Sequence, residues 1–419
     1  MSRVQLLRRR DDYYRHFSVL DIGTEIVKVL SMRRDTSDAT VLGVGRERQA
    51  AGAMHGGSIA NVDSVIDTCN QALEAAEDMA GVVPGQVVVS VGGELVKGFS
   101  STVSYPRERP DAKVRDVELR NLLELVEKRA LREAQNLLEL ERSYGELEAR
   151  LVHAAITGVR MDGYPMISPI GFQGRNLEVT VFNTFAPRTQ VGAVETVVRE
   201  LDLELLAAVN GPYAVARACA SEDTWEGGAI YVDVGGSSTE VALLRGGGVE
   251  GTRMFNLGGR TFTRRLALSL GVDQEEAEAR KLRHGDGLLA PDAERQVRQV
   301  LVADVDVLLQ GLNLCLRELS RQEELPPEIY FCGGGSLLPE LLDRAADGAW
   351  TRGLAFASTP TVARLEPEDV QGVADASGQI DSPQDVGTLS LANHALRIEA
   401  EEHDEVNAVM RAVLKGMRM

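Results

Sequence analysis

Apolar positions in this chain gather into short continuous runs that close on an acidic residue and a glycine cluster. Residues 229–244, AIYVDVGGSSTEVALL, show the pattern most fully. Ile230, Tyr231 and Val232 are strand formers ending on Asp233. Gly235, Gly236, Ser237 and Ser238 turn the chain, and residues 240–244 lead out as a second strand. Glycines at such a tip let the backbone approach a ligand closely, and consecutive N–H groups form an anion cradle. Asp233 stands where a carboxylate can meet a phosphate-bound metal, directly or through water. Alone, the stretch reads equally well as a β-hairpin with an exposed Asp. Two further stretches change that. Residues 19–30, VLDIGTEIVKVL, repeat the run, the acid (Asp21) and the turn (Gly23, Thr24). Residues 329–342, IYFCGGGSLLPELL, place three glycines and Ser336 between a strand and a helix start. No GxxxxGK[ST] is present, and the contiguous late glycines 333–335 are not a dinucleotide fingerprint.

Helical spacing organises much of the rest. Val62, Val65, Ile66, Cys69, Leu73 and Ala76 make one stripe over 61–80, followed by a strand at 87–91 that closes on Gly92 and Gly93. Residues 116–145 predict a charged helix with a single apolar face. Strands are expected at 41–46, 152–159, 177–185, 203–209 and 249–255, and helices at 190–201, 213–221, 261–270, 274–284, 292–321 and 385–396. Glu278 and Lys281 lie i, i+3 on the 274–284 helix, which on spacing alone is equally a surface ion pair or a functional pair. Residues 351–388 read as irregular.

The 419 residues suggest two or three domains, and a net charge of −18 argues against nucleic acid as a partner. Cys69, Cys219, Cys315 and Cys332 are scattered without CxxC, fitting a reducing cytoplasm and no zinc site. The first residues lack a signal-peptide core, and no run reads as long enough to cross a bilayer, so membrane contact is expected to be peripheral. Residues 1–16 are basic; their composition reads as a disordered tail, with attraction to anionic lipid as the alternative. At the other end, Val406, Val409, Met410, Val413, Leu414 and Met417 share one helical face flanked by Arg411, Lys415 and Arg418. That is the make-up of an interfacial helix, or of a terminal helix packed on the body.

The two hairpins and the late GGGS resemble the superfamily of actin, sugar kinases and chaperone ATPases. Within it the chain is most similar to FtsA, the bacterial actin-like cell division family. Further matches are GGSIAN at 56–61 before the first helix, residues 151–187, the LGG at 257–259, Ala277-Glu278-x-x-Lys281, and Arg283-His284-Gly285. The resemblance implies an α/β actin-like ATPase fold: two lobes, each with a central mixed β-sheet and flanking helices, plus a small FtsA-type α+β subdomain inserted in the first. It divides the chain into a basic tail (1–16), first lobe (17–104), inserted subdomain (105–187), first lobe again (188–222) and second lobe (223–396). An acidic linker (397–405) and a membrane-targeting helix (406–419) follow.

The resemblance implies ATP and Mg²⁺ as cofactors. Gly23, Thr24, Gly235, Gly236, Ser237 and Ser238 would bind phosphate. Gly258, Gly259, Glu278, Lys281, Gly334, Gly335 and Ser336 would line the nucleotide, and Asp21 and Asp233 would hold the metal through waters. Implied partners are further copies of the chain in filaments, the tail peptide of the tubulin homologue FtsZ, other division proteins, and an anionic membrane surface, on the cytoplasmic face of the cell membrane. Two departures qualify this. The linker-helix position that often carries a water-orienting Glu or Gln is Gly211, which implies slow or absent hydrolysis unless another residue compensates. After Gly285 the chain passes almost directly into the next long helix, which shortens the outer part of the second lobe, about residues 260–325, where the FtsZ peptide would bind. Two alternatives stand: a PilM-like type IV pilus protein binding a membrane-protein peptide, and a small-molecule kinase of the same superfamily.

Overall fold

The computed structural model describes residues 15–35, 38–140 and 148–400. The expected basic tail lies outside these residues apart from its last two, as do the expected membrane helix at 406–419 and most of the acidic linker.

Continuous apolar runs, buried on both faces, build the first sheet. β1 (His16–Ile22), β2 (Ile26–Arg34) and β3 (Ala39–Arg48) form an antiparallel meander. Helix α1 (Val62–Ala80) then returns the chain to β4 (Gln86–Val91), parallel to β1. Asn61 caps α1 by accepting the Ser64 N–H at 3.1 Å, and Gly81 ends it at φ 67°. The apolar stripe of α1 packs on the sheet with Val27, Val29, Val87 and Val89. Contact is so close that a Cβ on Gly45 of β3 would lie 1.8 Å from the Ala72 carbonyl oxygen.

β5 (Lys97–Pro106), α2 (Asp116–Leu140), β6 (Ala149–Met161) and β7 (Asn176–Pro187) form the next unit, with β7 antiparallel to both β5 and β6. α2 buries Leu119, Leu122, Leu123 and Val126 against β6 and β7. α3 (Arg188–Glu200) and β8 (Glu204–Asn210) rejoin the first sheet, and α4 (Gly211–Cys219) leaves it.

The second lobe opens with β9 (Ala229–Val234), β10 (Thr239–Arg245) and β11 (Gly248–Phe255), followed by α5 (Gly259–Leu270), α6 (Gln274–Gly285) and α7 (Pro291–Ser320). β12 (Glu328–Cys332), α8 (Pro339–Ala346), β13 (Thr361–Arg364), β14 (Val373–Asp375) and α9 (Val386–Ala400) complete the chain.

The first sheet has six strands in the order β8-β4-β1-β2-β3-β14. The second has nine, β13-β12-β9-β10-β11-β5-β7-β6 with a short edge at Tyr164–Pro165. The second sheet therefore runs without interruption from the second lobe into the 97–187 unit, through β11 and β5 at Gly251↔Phe99 and Thr252↔Gly98. Between the two sheets lies a layer made by α4 and α9, where Tyr213, Ala214, Leu389 and Ala392 meet Phe17 and Val19 on one side and Tyr231 and Ala242 on the other.

Two expectations need correction. The segment 351–388 is not uniformly irregular: β13 pairs parallel with β12, and β14 pairs parallel with β3. Strands of three and four residues are too short for an alternating pattern to register. In addition, α7 does contain a stretch long and apolar enough to span a bilayer, half of it buried. Its Leu301, Val305, Leu308, Leu312 and Leu316 pack into the second-lobe core, the arrangement of a core helix.

The α1–β3 contact is testable. Gly45→Ala should lower stability by about 1–3 kcal/mol, the range for overpacking a core. The readout is the urea midpoint. Gly192→Ala in α3, where an added Cβ meets nothing within 4 Å, is the control and should be neutral or mildly stabilising. Equal midpoints for the two variants would refute the close packing.

Candidate functional site

Hairpin register determines the chemistry between the lobes. In the first hairpin Ile22↔Val27 is the innermost pair and Asp21 faces Lys28. In the second, Val234↔Thr239 is innermost and Asp233 faces Glu240. Each loop between these pairs has four residues, 23–26 and 235–238, so the two tips are built alike. The tips touch across the cleft: the Ser237 N–H donates to Thr24 Oγ1 at 3.2 Å. At the cleft mouth Glu25 accepts from Arg48 at 2.9 Å and pairs with Arg260 from the first turn of α5.

The cleft has a volume of about 320 Å³, within the range of small-molecule sites. It is lined by Asp21, Gly23, Thr24, Asp233, Gly235, Gly236, Ser238, Gly259, Glu278, Lys281, Gly334 and Gly335. These are twelve of the fifteen residues singled out above for a nucleotide and its metal. The other three sit beside the wall. Ser237 holds Thr24; Gly258 packs so tightly on the second tip that a Cβ would lie 2.5 Å from the Gly235 carbonyl oxygen. Ser336 is fully buried, its hydroxyl donating to the Gly333 carbonyl at 2.7 Å, so it closes the glycine turn from behind.

Glycine is required at Gly333, which has φ 81° and where a Cβ would fall 2.1 Å from Asp233 Oδ1. A Cβ on Gly334 would meet nothing, so the backbone there lies open to a planar ligand. The expected donors at the start of α5 are already engaged: the Gly259 N–H donates to the Gly235 carbonyl at 3.0 Å and the Arg260 N–H to that of Gly236 at 2.7 Å. This helix N-terminus grips the second hairpin tip.

Buried Lys281 pairs with half-buried Glu278. The Lys281 ammonium is 2.8 Å from Glu278, 2.8 Å from Thr263 Oγ1 and 3.1 Å from the Gly259 carbonyl, and Thr263 also bonds Glu278. The helix carrying them is fixed from behind by His284, one turn on. His284 Nδ1 lies 2.8 Å from Glu294 of α7 and Nε2 lies 2.9 Å from Glu340 of α8. The Glu340 hydrogen bond raises the His284 pKa against the opposing effect of burial. Burial pushes Glu340 up, but His284 and Arg298 outweigh it and leave its pKa lowered.

At the inner end, Asp21 accepts from Ser90 Oγ at 2.7 Å and from Thr388 Oγ1 at 3.4 Å, so β4 and α9 position it. Burial raises the Asp233 pKa to about 6, with Lys28 lowering it and Asp21 raising it. Glu240 is raised to about 8 by burial, then by Asp233 and Asp21. Lys28 is itself held by the Gln384 carbonyl and stands 3.9 Å from Asp385. Among the described residues no group of three or more His, Cys, Asp or Glu converges closely enough to hold a metal ion directly. The acid-rich cleft end fits a cation held through water by Asp21 and Asp233, since a positive charge there offsets their mutual repulsion.

Sequence reading passed over Glu240, Lys28 and Ser90. Counting each hairpin outward from its turn places Glu240 opposite Asp233 and Lys28 opposite Asp21, a signal present in the sequence. Ser90 comes from a separate strand, and nothing local marks it.

Two α/β lobes closing on a cleft between paired glycine hairpins, with a helix layer crossing between the sheets, define an actin-like ATPase fold. Within that class the family resembled is FtsA. The sequence model of the family described as "Cell division protein FtsA" matches residues 230–378. Relatives described as "Cell division protein FtsA" extend the likeness beyond that segment. The Bacillus subtilis protein is 24% identical over 84% of this chain and 81% of its own length. The Streptococcus pneumoniae protein is 22% identical over 79% and 73%. The Agrobacterium fabrum protein is 27% identical over 67% and 62%. Among solved structures, the "PilM-PilN type IV pilus biogenesis complex" superposes with a TM-score of 0.64 at 21% identity, covering 90% of this chain and 98% of that one, a likeness of fold.

The His284 clamp has a defined pH signature. A raised His pKa contributes stability that is fully present below its unfolded value, near 6.5, and is lost as pH rises through the folded value. The lowered Glu340 pKa contributes stability present above about 4.5 and lost as pH falls through its folded value. The stability difference between the natural chain and His284→Gln should therefore peak between roughly pH 4.5 and 6.5 and shrink on either side. A difference independent of pH in urea melts would reject the charged pair.

Proposed function

We propose that this chain is an ATP-binding, actin-like cell division protein that assembles on the cytoplasmic face of the cell membrane and recruits division proteins. The observation that carries the reading is the cleft. Two matched Asp-bearing hairpins, the Gly333–Gly335 turn and the Glu278–Lys281 pair surround one volume of nucleotide size. In it, Asp21 and Asp233 would hold hydrated Mg²⁺, which supplies charge neutralisation for the phosphates. Thr24, Gly235, Gly236 and Ser238 would face the phosphates, and Gly334, Gly335, Glu278 and Lys281 the nucleoside. The division role rests on relatives of that name spanning most of the chain. Assembly, FtsZ recruitment and membrane attachment through 406–419 extend from the same resemblance.

A second reading, a PilM-like pilus protein that binds a membrane-protein peptide, is favoured by one feature. Only five residues, 286–290, separate α6 from α7, so the second lobe lacks the outer elaboration expected of FtsA.

Asp233→Asn should weaken Mg-dependent ATP binding at least tenfold, about 1.4 kcal/mol, in calorimetry. Unchanged affinity would remove Asp233 from the site. Co-sedimentation with anionic liposomes and ATP tests the rest, comparing the full chain with one ending at Asp404. Lipid-bound filaments that require the last residues are expected of a division scaffold. A chain that stays monomeric and off the lipid in both forms would overturn that role and leave the peptide-binding reading.

A further inference from the structure

Of the acids that line the cleft, Glu278, Asp21 and Glu25 are secured by neighbouring side chains, whereas Glu240 is not. Lys281 secures Glu278, Ser90 and Thr388 hold Asp21, and Arg48 and Arg260 hold Glu25. Among the described residues, the Glu240 carboxylate has no hydrogen bond and no ion pair. Yet the fold makes room for it twice. A Cβ on Gly211, at the first position of α4, would lie 3.1 Å from Glu240 Oε2. A Cβ on Gly92, just past β4, would lie 2.6 Å from Oε1. Two glycines on the first-lobe wall thus leave a recess that the carboxylate of a second-lobe strand enters. An acid without a cationic partner in an enclosed place is costly, and an apolar side chain on β10 would fill the same recess without that cost. Hydrogen-bonding capacity pointed into a cleft and unused by the protein is capacity available to a water or a substrate.

We propose that Glu240 is the catalytic carboxylate of a slow ATPase: it accepts a hydrogen bond from the attacking water and aims its oxygen at the terminal phosphorus of the bound nucleotide. This rests on the nucleotide reading above and supplies from β10 what a side chain at position 211 cannot. In the step, the water oxygen bonds to the terminal phosphorus. The bond to the bridging oxygen breaks, and its electron pair leaves with ADP. One water proton stays on the inorganic phosphate and the other departs along Glu240 to solvent. Orientation of this kind contributes about 100- to 10,000-fold in rate.

The test uses the full chain, Glu240→Ala, Glu240→Gln and the exchange variant Glu240→Ala with Gly211→Gln. The exchange variant returns an amide to the same recess from the opposite wall. ATP affinity is measured by calorimetry and hydrolysis by single turnover at saturating ATP. The single variants should bind ATP within about threefold of the natural chain and hydrolyse it about 100-fold more slowly. The exchange variant should recover at least part of that loss, a rescue that a merely structural role for Glu240 would not give. Turnover unaffected by loss of Glu240, or falling only in step with ATP affinity, would overturn the proposal and leave nucleotide binding standing. So would a natural chain that binds ATP and never cleaves it. Failure of the natural chain to bind ATP would instead overturn the nucleotide reading, and this proposal with it.

Discussion

The structure depends on how it tolerates negative charge at one place. Asp21, Asp233 and Glu240 approach one another at the inner end of the cleft, where Lys28 faces Asp21 and acts on Asp233. Burial first, and then the like charges around them, raise the pKa values of Asp233 and Glu240. Asp233 and Glu240 are held opposite each other by the register of one tight hairpin, and Asp21 is a rung of the other. The cleft is therefore built to be completed by something positive, and the rest of the site holds the pieces still until it is.

Rigid support reaches the cleft from every layer. β4 and α9 orient Asp21; α5 grips the second tip with two backbone hydrogen bonds; α7 and α8 hold α6 through His284. Arg46 and Lys28 meet the buried Asp385 at the turn before α9, so the helix that crosses between the sheets is anchored to the first sheet where it begins. Side chains on the cleft wall thus inherit their positions from cores that lie behind them, which is how a site stays preorganised without a ligand.

The hairpins, the glycine turn and the AExxK pair were legible in the sequence because each is local: a strand, a turn and a partner within a few residues. The same locality made α1 readable, with its stripe from Val65 to Ala76 and its caps at Asn61 and Gly81. What stayed hidden was set by distant segments. Ser336 looks like part of an exposed glycine loop until packing turns its hydroxyl back onto Gly333. The donors of α5 look free until the second hairpin tip occupies them. β13 and β14 are strands only because an existing sheet edge recruits them. Glu240 lies between these cases: its register could be counted, but the recess at Gly92 and Gly211 exists only once the two lobes meet.

The continuity of the second sheet links distant parts of the chain. Its rungs run from β12 beside the glycine turn, through β9, β10 and β11, across Gly98 into β5, β7 and β6, and out to the loop bearing the exposed Tyr164, Ile167 and Phe172. The narrowest seams on that route have two paired positions each, one at the Tyr164–Pro165 edge and one between β11 and β5, where Gly98 lets Thr252 and Phe182 close over the backbone. One continuous ladder of hydrogen bonds thus joins the exposed loop to the cleft strands by a route outside the cleft itself.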